Sequence, residues 1–272
     1  GLVGINTYLG GGDIRDNLIG STTVMNSIEV NNVVQDVEID AIALEGGTYT
    51  VERNRIQGIR NLSGYALTGI RLVFGEFGSL VTSMNCKHNY ISDLHVPFGS
   101  DIDLAGIAVL GSEFDASTNL TIESDTIRNL SIGSSVTGKA FVTGITFAFI
   151  AGFPPYFAGG SVKDNVIENL SNLRSGNSTG CAGIVHRLGF KTDLNITGNL
   201  IRNLQANSAG LSGIVISPET NTMLTNSLQR VTIDGNTIYG LTNNHTGEVS
   251  VTGVEVAGRQ PLVTANRLWD FQ

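Results

Sequence analysis

The chain holds 272 residues, of which 41% are hydrophobic and only 15% charged, a balance that excludes a disordered chain and leaves room for a large core. Its 24 acidic side chains against 16 basic ones give a net charge of −8, which disfavours nucleic acid and anionic membranes because little would neutralise their phosphates. No stretch approaches the roughly 20 apolar residues of a membrane span, and no basic segment precedes an apolar one as in a secretion leader.

Along the chain one pattern recurs: Asn-x-Ile-x-(Asn/Asp/Gly)-Leu. It begins at Asn17, Asn54, Asn89, Asp125, Asn165, Asn199, Asn236 and Asn266. The intervals are 37, 35, 36, 40, 34, 37 and 30 residues. A second pattern, Gly-Ile or close to it, alternates with the first and starts at Gly4, Ala41, Gly69, Gly106, Gly144, Gly183, Gly213 and Gly253. Two residues before each stands an apolar side chain (Leu2, Ile39, Leu67, Leu104, Val142, Cys181, Leu211, Val251), and another stands three before each Asn motif (Ile14, Val51, Cys86, Ile122, Val162, Ile196, Ile233, Val263).

Segments such as Val231-Thr-Ile-Asp234 alternate apolar and polar as half-buried strands do, and no helical period lies between them. A parallel strand needs a crossover, and here the crossover must itself be extended. The reading is therefore an all-β, single-domain right-handed parallel β-helix, a solenoid of about eight coils over residues 1–272, forming part of a longer surface protein. Its strands would stack about 4.8 Å apart. Asn54, Asn89, Asn165, Asn199, Asn236 and Asn266 then form a structural ladder. Asn tolerates left-handed backbone, and its side chain can bond from coil to coil. The Asn/Asp/Gly column four residues on reads as a second turn position with positive φ.

Coils such as Asn199-Leu-Ile-Arg-Asn-Leu204 followed by Gly213-Ile-Val-Ile216 resemble the repeats of secreted bacterial right-handed parallel β-helix proteins, the pectate-lyase-like superfold. More closely, they resemble the cell-surface, adhesin-like repeat regions within that class. The resemblance covers nearly the whole chain. It implies export to the extracellular space or bacterial surface, and it specifies fold far better than activity.

The remaining features are read in chain order. Cys86 and Cys181 stand in apolar columns and read as small core residues. Asp101 and Asp103, two apart, are a weak Ca²⁺ candidate against the plainer reading of a solvated loop. The segment 148–160 carries Phe149, Phe153, Tyr156 and Phe157 around two prolines, a candidate loop for stacking on sugar rings or docking a surface protein. His186 occupies an otherwise apolar column, with Arg187 and Lys191 close behind it. If the chain is an enzyme, these three are its candidate base and cations for acting on an acidic polysaccharide. The competing reading is a satisfied histidine at a strand end.

No zinc spacing, phosphate loop, nucleophile elbow or paired-aspartate signature occurs. No cofactor is expected. The leading expectation is a non-enzymatic adhesive scaffold that binds polysaccharide or a surface protein. A polysaccharide lyase or glycoside hydrolase is the alternative, and a filament subunit that self-associates end to end or laterally is the third.

Overall fold

The computed structural model describes residues 2–24, 26–31, 38–74, 83–111, 119–149, 156–157, 160–187, 189–190, 193–217, 230–257 and 261–272. Every element among them is a strand, and every strand pairing is parallel. The chain is a parallel β-solenoid whose wall has three faces. The Gly-Ile segments make the first face, and the short alternating strands such as Leu194–Thr197 and Val231–Asp234 make the second. The segments that follow each ladder Asn make the third.

The repeat columns are the inward columns of this wall. On the first face Ile70, Ile107, Ile145, Ile184 and Ile214 lie in register. On the third face Ile56, Ile91, Ile127, Ile167, Ile201 and Ile238 do the same. All of these isoleucines are fully buried. Each such side chain removes about 1.5–3 kcal/mol worth of apolar surface from water. A strand has only a two-residue period, so this stacking requires every coil to return in the same register.

The two sequence patterns also fit into each other. A Cβ placed on Gly144 would lie 2.6 Å from the Gly183 carbonyl oxygen and 2.6 Å from Ile167 Cγ2. The same holds at Gly183, whose Cβ would lie 2.7 Å from Ile201 Cγ2, and at Gly213 against Ile238, also at 2.7 Å. Glycine on the first face thus makes room for the isoleucine of the third. The Gly-Ile and Asn-x-Ile motifs are two halves of one cross-section.

The asparagine ladder runs unbroken from Asn17 to Asn266. Each Asn rung from Asn17 to Asn236 donates both its backbone N–H and its Nδ2–H to the Oδ1 of the rung above, and the acid rung Asp125 donates only its backbone N–H, to Asn165 at 2.9 Å. Asn54 does so to Asn89 at 3.0 and 2.9 Å, and Asn199 to Asn236 at 2.9 and 2.9 Å. Nδ2 also donates to a strand carbonyl of the coil below, as Asn54 does to Ile14 at 2.8 Å and Asn236 to Ile196 at 2.9 Å. These are buried groups, so the corner where the chain turns is kept without an unpaired backbone polar group.

One expectation needs correction. The left-handed residue at this corner is not the Asn but its predecessor: Arg53, His88, Ser124 and Asp164 have φ of 55, 56, 57 and 56°. None of the ladder Asn residues has a positive φ. The second turn position stands as read, with φ of 56° at Asp93, 55° at Asn129, 56° at Asn169 and 55° at Asn203. Its side chains form a further, solvent-facing ladder, with Asn129 donating to Asp93 at 2.9 Å and Asn203 to Asn169 at 3.1 Å.

Candidate functional site

A site must be sought on the outward side of the strands, since the inside is filled. On the first face the outward columns consist mostly of small side chains. In register they are Thr68, Ala105, Thr143, Ala182 and Ser212, and beside them Arg71, Ala108, Thr146, Val185 and Val215. Ala105, Ala108 and Val185 are each only 5% exposed, so this floor is recessed. Two clefts lie on it, of about 290 and 150 Å³. They share Phe141, Thr143, Val185 and Arg187, and so form one trough along the solenoid axis. Five strand levels at about 4.8 Å spacing make it roughly 19 Å long.

The trough has a different character at each end. At one end the Arg71 guanidinium is held by three carboxylates: Asp40 at 2.9 Å, Glu38 at 3.2 Å and Glu45 at 3.6 Å. Asp40 is 2% exposed, and burial pushes its carboxyl up to about 7 while Arg71 opposes the shift. Three acids around one base leave this wall net acidic. Midway, the Arg187 guanidinium lies 5.4 Å from the centre of the Phe141 ring, within cation–π range. Asp103 forms the adjoining rim. Desolvation raises its pKa, and Arg187 and Lys139 draw it back down.

The residues singled out from sequence are distributed as follows. His186 points inward and is fully buried, in register between Phe147 and Ile216, with its ring 4.7 Å from that of Phe147. Arg187, the next residue, is exposed and lines the trough. The two therefore address opposite sides of the wall, and Lys191 lies outside the described residues. Phe153 also lies outside them. Phe149 ends the strand Thr126–Phe149, and Tyr156–Phe157 pairs with Gly189–Phe190, but the side chains of Phe149, Tyr156 and Phe157 are likewise outside what is described.

Asp101 and Asp103 do not converge on one role. Asp101 Oδ1 accepts the Lys139 backbone N–H at 2.9 Å, while Asp103 faces the trough. Among the described residues no three His, Cys, Asp or Glu side chains are grouped as metal ligands would be. Cys86 and Cys181 are free and buried in the inward columns that their sequence positions indicate.

Arg71, Asp40, Glu38 and Phe141 escaped the sequence reading. One signal was available: Arg71 is an arginine in an outward column otherwise made mainly of Ala, Thr and Val. No helix among the described residues is long and apolar enough to cross a membrane. Comparison with known proteins finds no matching family, no matching curated protein and no matching solved structure.

Proposed function

We propose that this chain is a non-enzymatic, extracellular adhesive scaffold of a bacterial surface that holds a neutral linear glycan along its axial trough. The observation that carries this reading is the trough itself, a recessed floor of small side chains in register over five levels. A linear polymer fits such a floor better than a compact ligand does. Phe141 offers an apolar face to a sugar ring, and Thr143 and Thr146 offer hydroxyls. The net-acidic wall around Arg71 and the overall charge of −8 oppose a polyanionic chain.

A panel of neutral and uronate-containing oligosaccharides tests this. Binding is expected for neutral members, weakened at least tenfold in Phe141→Ala, with a melting temperature within a few degrees of the parent. Full retention of binding in that variant would remove the trough from the reading. Release of reducing ends or unsaturated products would replace the scaffold with the lyase or hydrolase alternative.

A further inference from the structure

A further cleft lies away from the trough among the described residues. It has a volume of about 270 Å³ and is formed where the 21–24 turn approaches the third face. Arg55, Tyr90 and Arg128 line it, contributed by three successive coils, together with Gln57 and Asp93. Tyr90 sits directly above Arg55 in register. The guanidinium carbons of Arg55 and Arg128 lie 4.7 and 5.5 Å from the centre of its ring.

These two guanidiniums depart from the pattern of several others in the chain. Arg53 lies 2.8 Å from Asp16, Arg60 3.1 Å from Glu29, and Arg202 Nε donates to Glu168 at 2.7 Å. Arg55 forms no ion pair with the described residues, and its Nε donates instead to the neutral Gln57 Oε1 at 2.7 Å. The carboxylate nearest Arg128 is Glu168 at 3.8 Å, whose other oxygen is taken by Arg202. Arg128 Nε is buried without a hydrogen-bond partner among the described residues.

Asp93 is the one acid lining this cleft, and its oxygens are already occupied. They accept from Ser92 Oγ at 2.7 Å and Asn129 Nδ2 at 2.9 Å. In a chain with 24 acids and 16 bases, two neighbouring cations without a close carboxylate run against the charge balance. A buried donor without an acceptor is costly unless something else supplies the oxygen. Guanidinium forks suit the paired oxygens of a carboxylate, sulfate or phosphate.

We infer that the Arg55–Tyr90–Arg128 cleft is a second binding site, separate from the trough, for one oxyanion group. The group is either a free ion or the acidic substituent of a sugar. The two arginines bind the oxygens, Tyr90 orders their side chains through its ring, and the hydroxyl-bearing 21–24 turn lines the outer side.

Sodium sulfate, sodium phosphate and glucuronate, each titrated into the whole chain, test the inference. The arginine Nε–H resonances are followed by NMR. A saturable shift at Arg55 and Arg128 is expected with at least one of the three, weakening as sodium chloride rises. It should weaken at least tenfold in Arg55→Gln and in Arg128→Gln, and stay unchanged in Arg60→Gln. Saturation by glucuronate alone would assign a sugar acid, and saturation by the inorganic ions would assign a free oxyanion. No saturable shift with any of the three, or equal affinity in all variants, would overturn the site. Arg128→Lys keeps the charge and guards against misfolding: folded but weakened, it supports fork-like recognition. Loss or retention of glycan binding at Phe141 does not bear on this outcome.

Discussion

Asn199→Ala is expected to destabilise the solenoid by about 3–6 kcal/mol, read as a large fall in the denaturant midpoint. Asn199 is fully buried. Its Oδ1 accepts the backbone N–H of Asn165 at 3.1 Å and Asn165 Nδ2 at 3.0 Å. Its Nδ2 donates to the Val162 carbonyl at 3.0 Å and to Asn236 Oδ1 at 2.9 Å. Truncation strands two donors of Asn165 and the Val162 carbonyl in a place water cannot reach. Each such orphan costs roughly 1–3 kcal/mol. That total is comparable to the entire stability of many domains, about 5–15 kcal/mol. In a stacked repeat, the loss should first open the coils on either side of the damaged rung. Asn203→Gly is the matched control, because Asn203 is exposed, bonds only within the outer ladder, and has a φ of 55° that glycine adopts without strain. It should shift stability by less than about 0.5 kcal/mol. Equal effects from the two variants would show that the inner ladder is not a principal stabiliser.

Stacking of like residues is what makes this fold legible in sequence. The column that holds Ile201 and Ile238 could be read because one buried cross-section must repeat its chemistry at every coil. The same constraint exposed the two cysteines as core residues. What escaped reading lacks a chemical signature. The left-handed position before each ladder rung is filled by Asp16, Arg53, His88, Ser124, Asp164, Gly198, Gly235 and Ala265, of which only the two glycines signal it. The fit of Gly144 against Ile167 joins opposite faces of the wall, and no linear pattern announces it. The trough is harder still. Ala105, Thr143 and Ala182 attract no notice singly, and they become a floor only through a register that crosses loops of unequal length. His186 shows the converse: a conspicuous residue type in an apolar column proved to lie in the core.

The one acid in the inner ladder yields the second large expected effect: Asp125→Asn should stabilise the protein at pH 8 and change it little at pH 4. At every other described rung from Asn17 to Asn236, Nδ2 faces the Oδ1 of the rung above, and from Asn54 onward it also faces a carbonyl below. By the same register, Asp125 Oδ2 faces Asn165 Oδ1 and the Cys86 carbonyl, two acceptors. Asp125 Oδ1 already accepts from Asn89 at 2.7 and 2.9 Å, while Oδ2 is buried without a hydrogen-bond partner. A protonated carboxyl supplies the donor that Asn Nδ2 supplies at the other rungs. Burial pushes this carboxyl up to about 7. The Asn89 bonds and the Cys86 thiol pull it down, and Glu123, itself held by Lys87 and Lys163, pushes it up. The direction follows from linkage. Below the unfolded value of 3.8 both states are protonated, and the carboxylic acid's contribution is fully present. As pH rises toward 7 the unfolded chain releases its proton first, so stability falls, by about 4 kcal/mol across the window at 1.36 kcal/mol per pH unit. Asn carries the donor at every pH and removes this slope. Asp40, also raised to about 7, titrates in the same window, so the parent and the variant must be compared at each pH. Parallel stability curves for the two proteins between pH 4 and 8 would show that Asp125 is ionised in the fold. Curves that converge at low pH and separate above it would show that a shared proton completes the asparagine ladder.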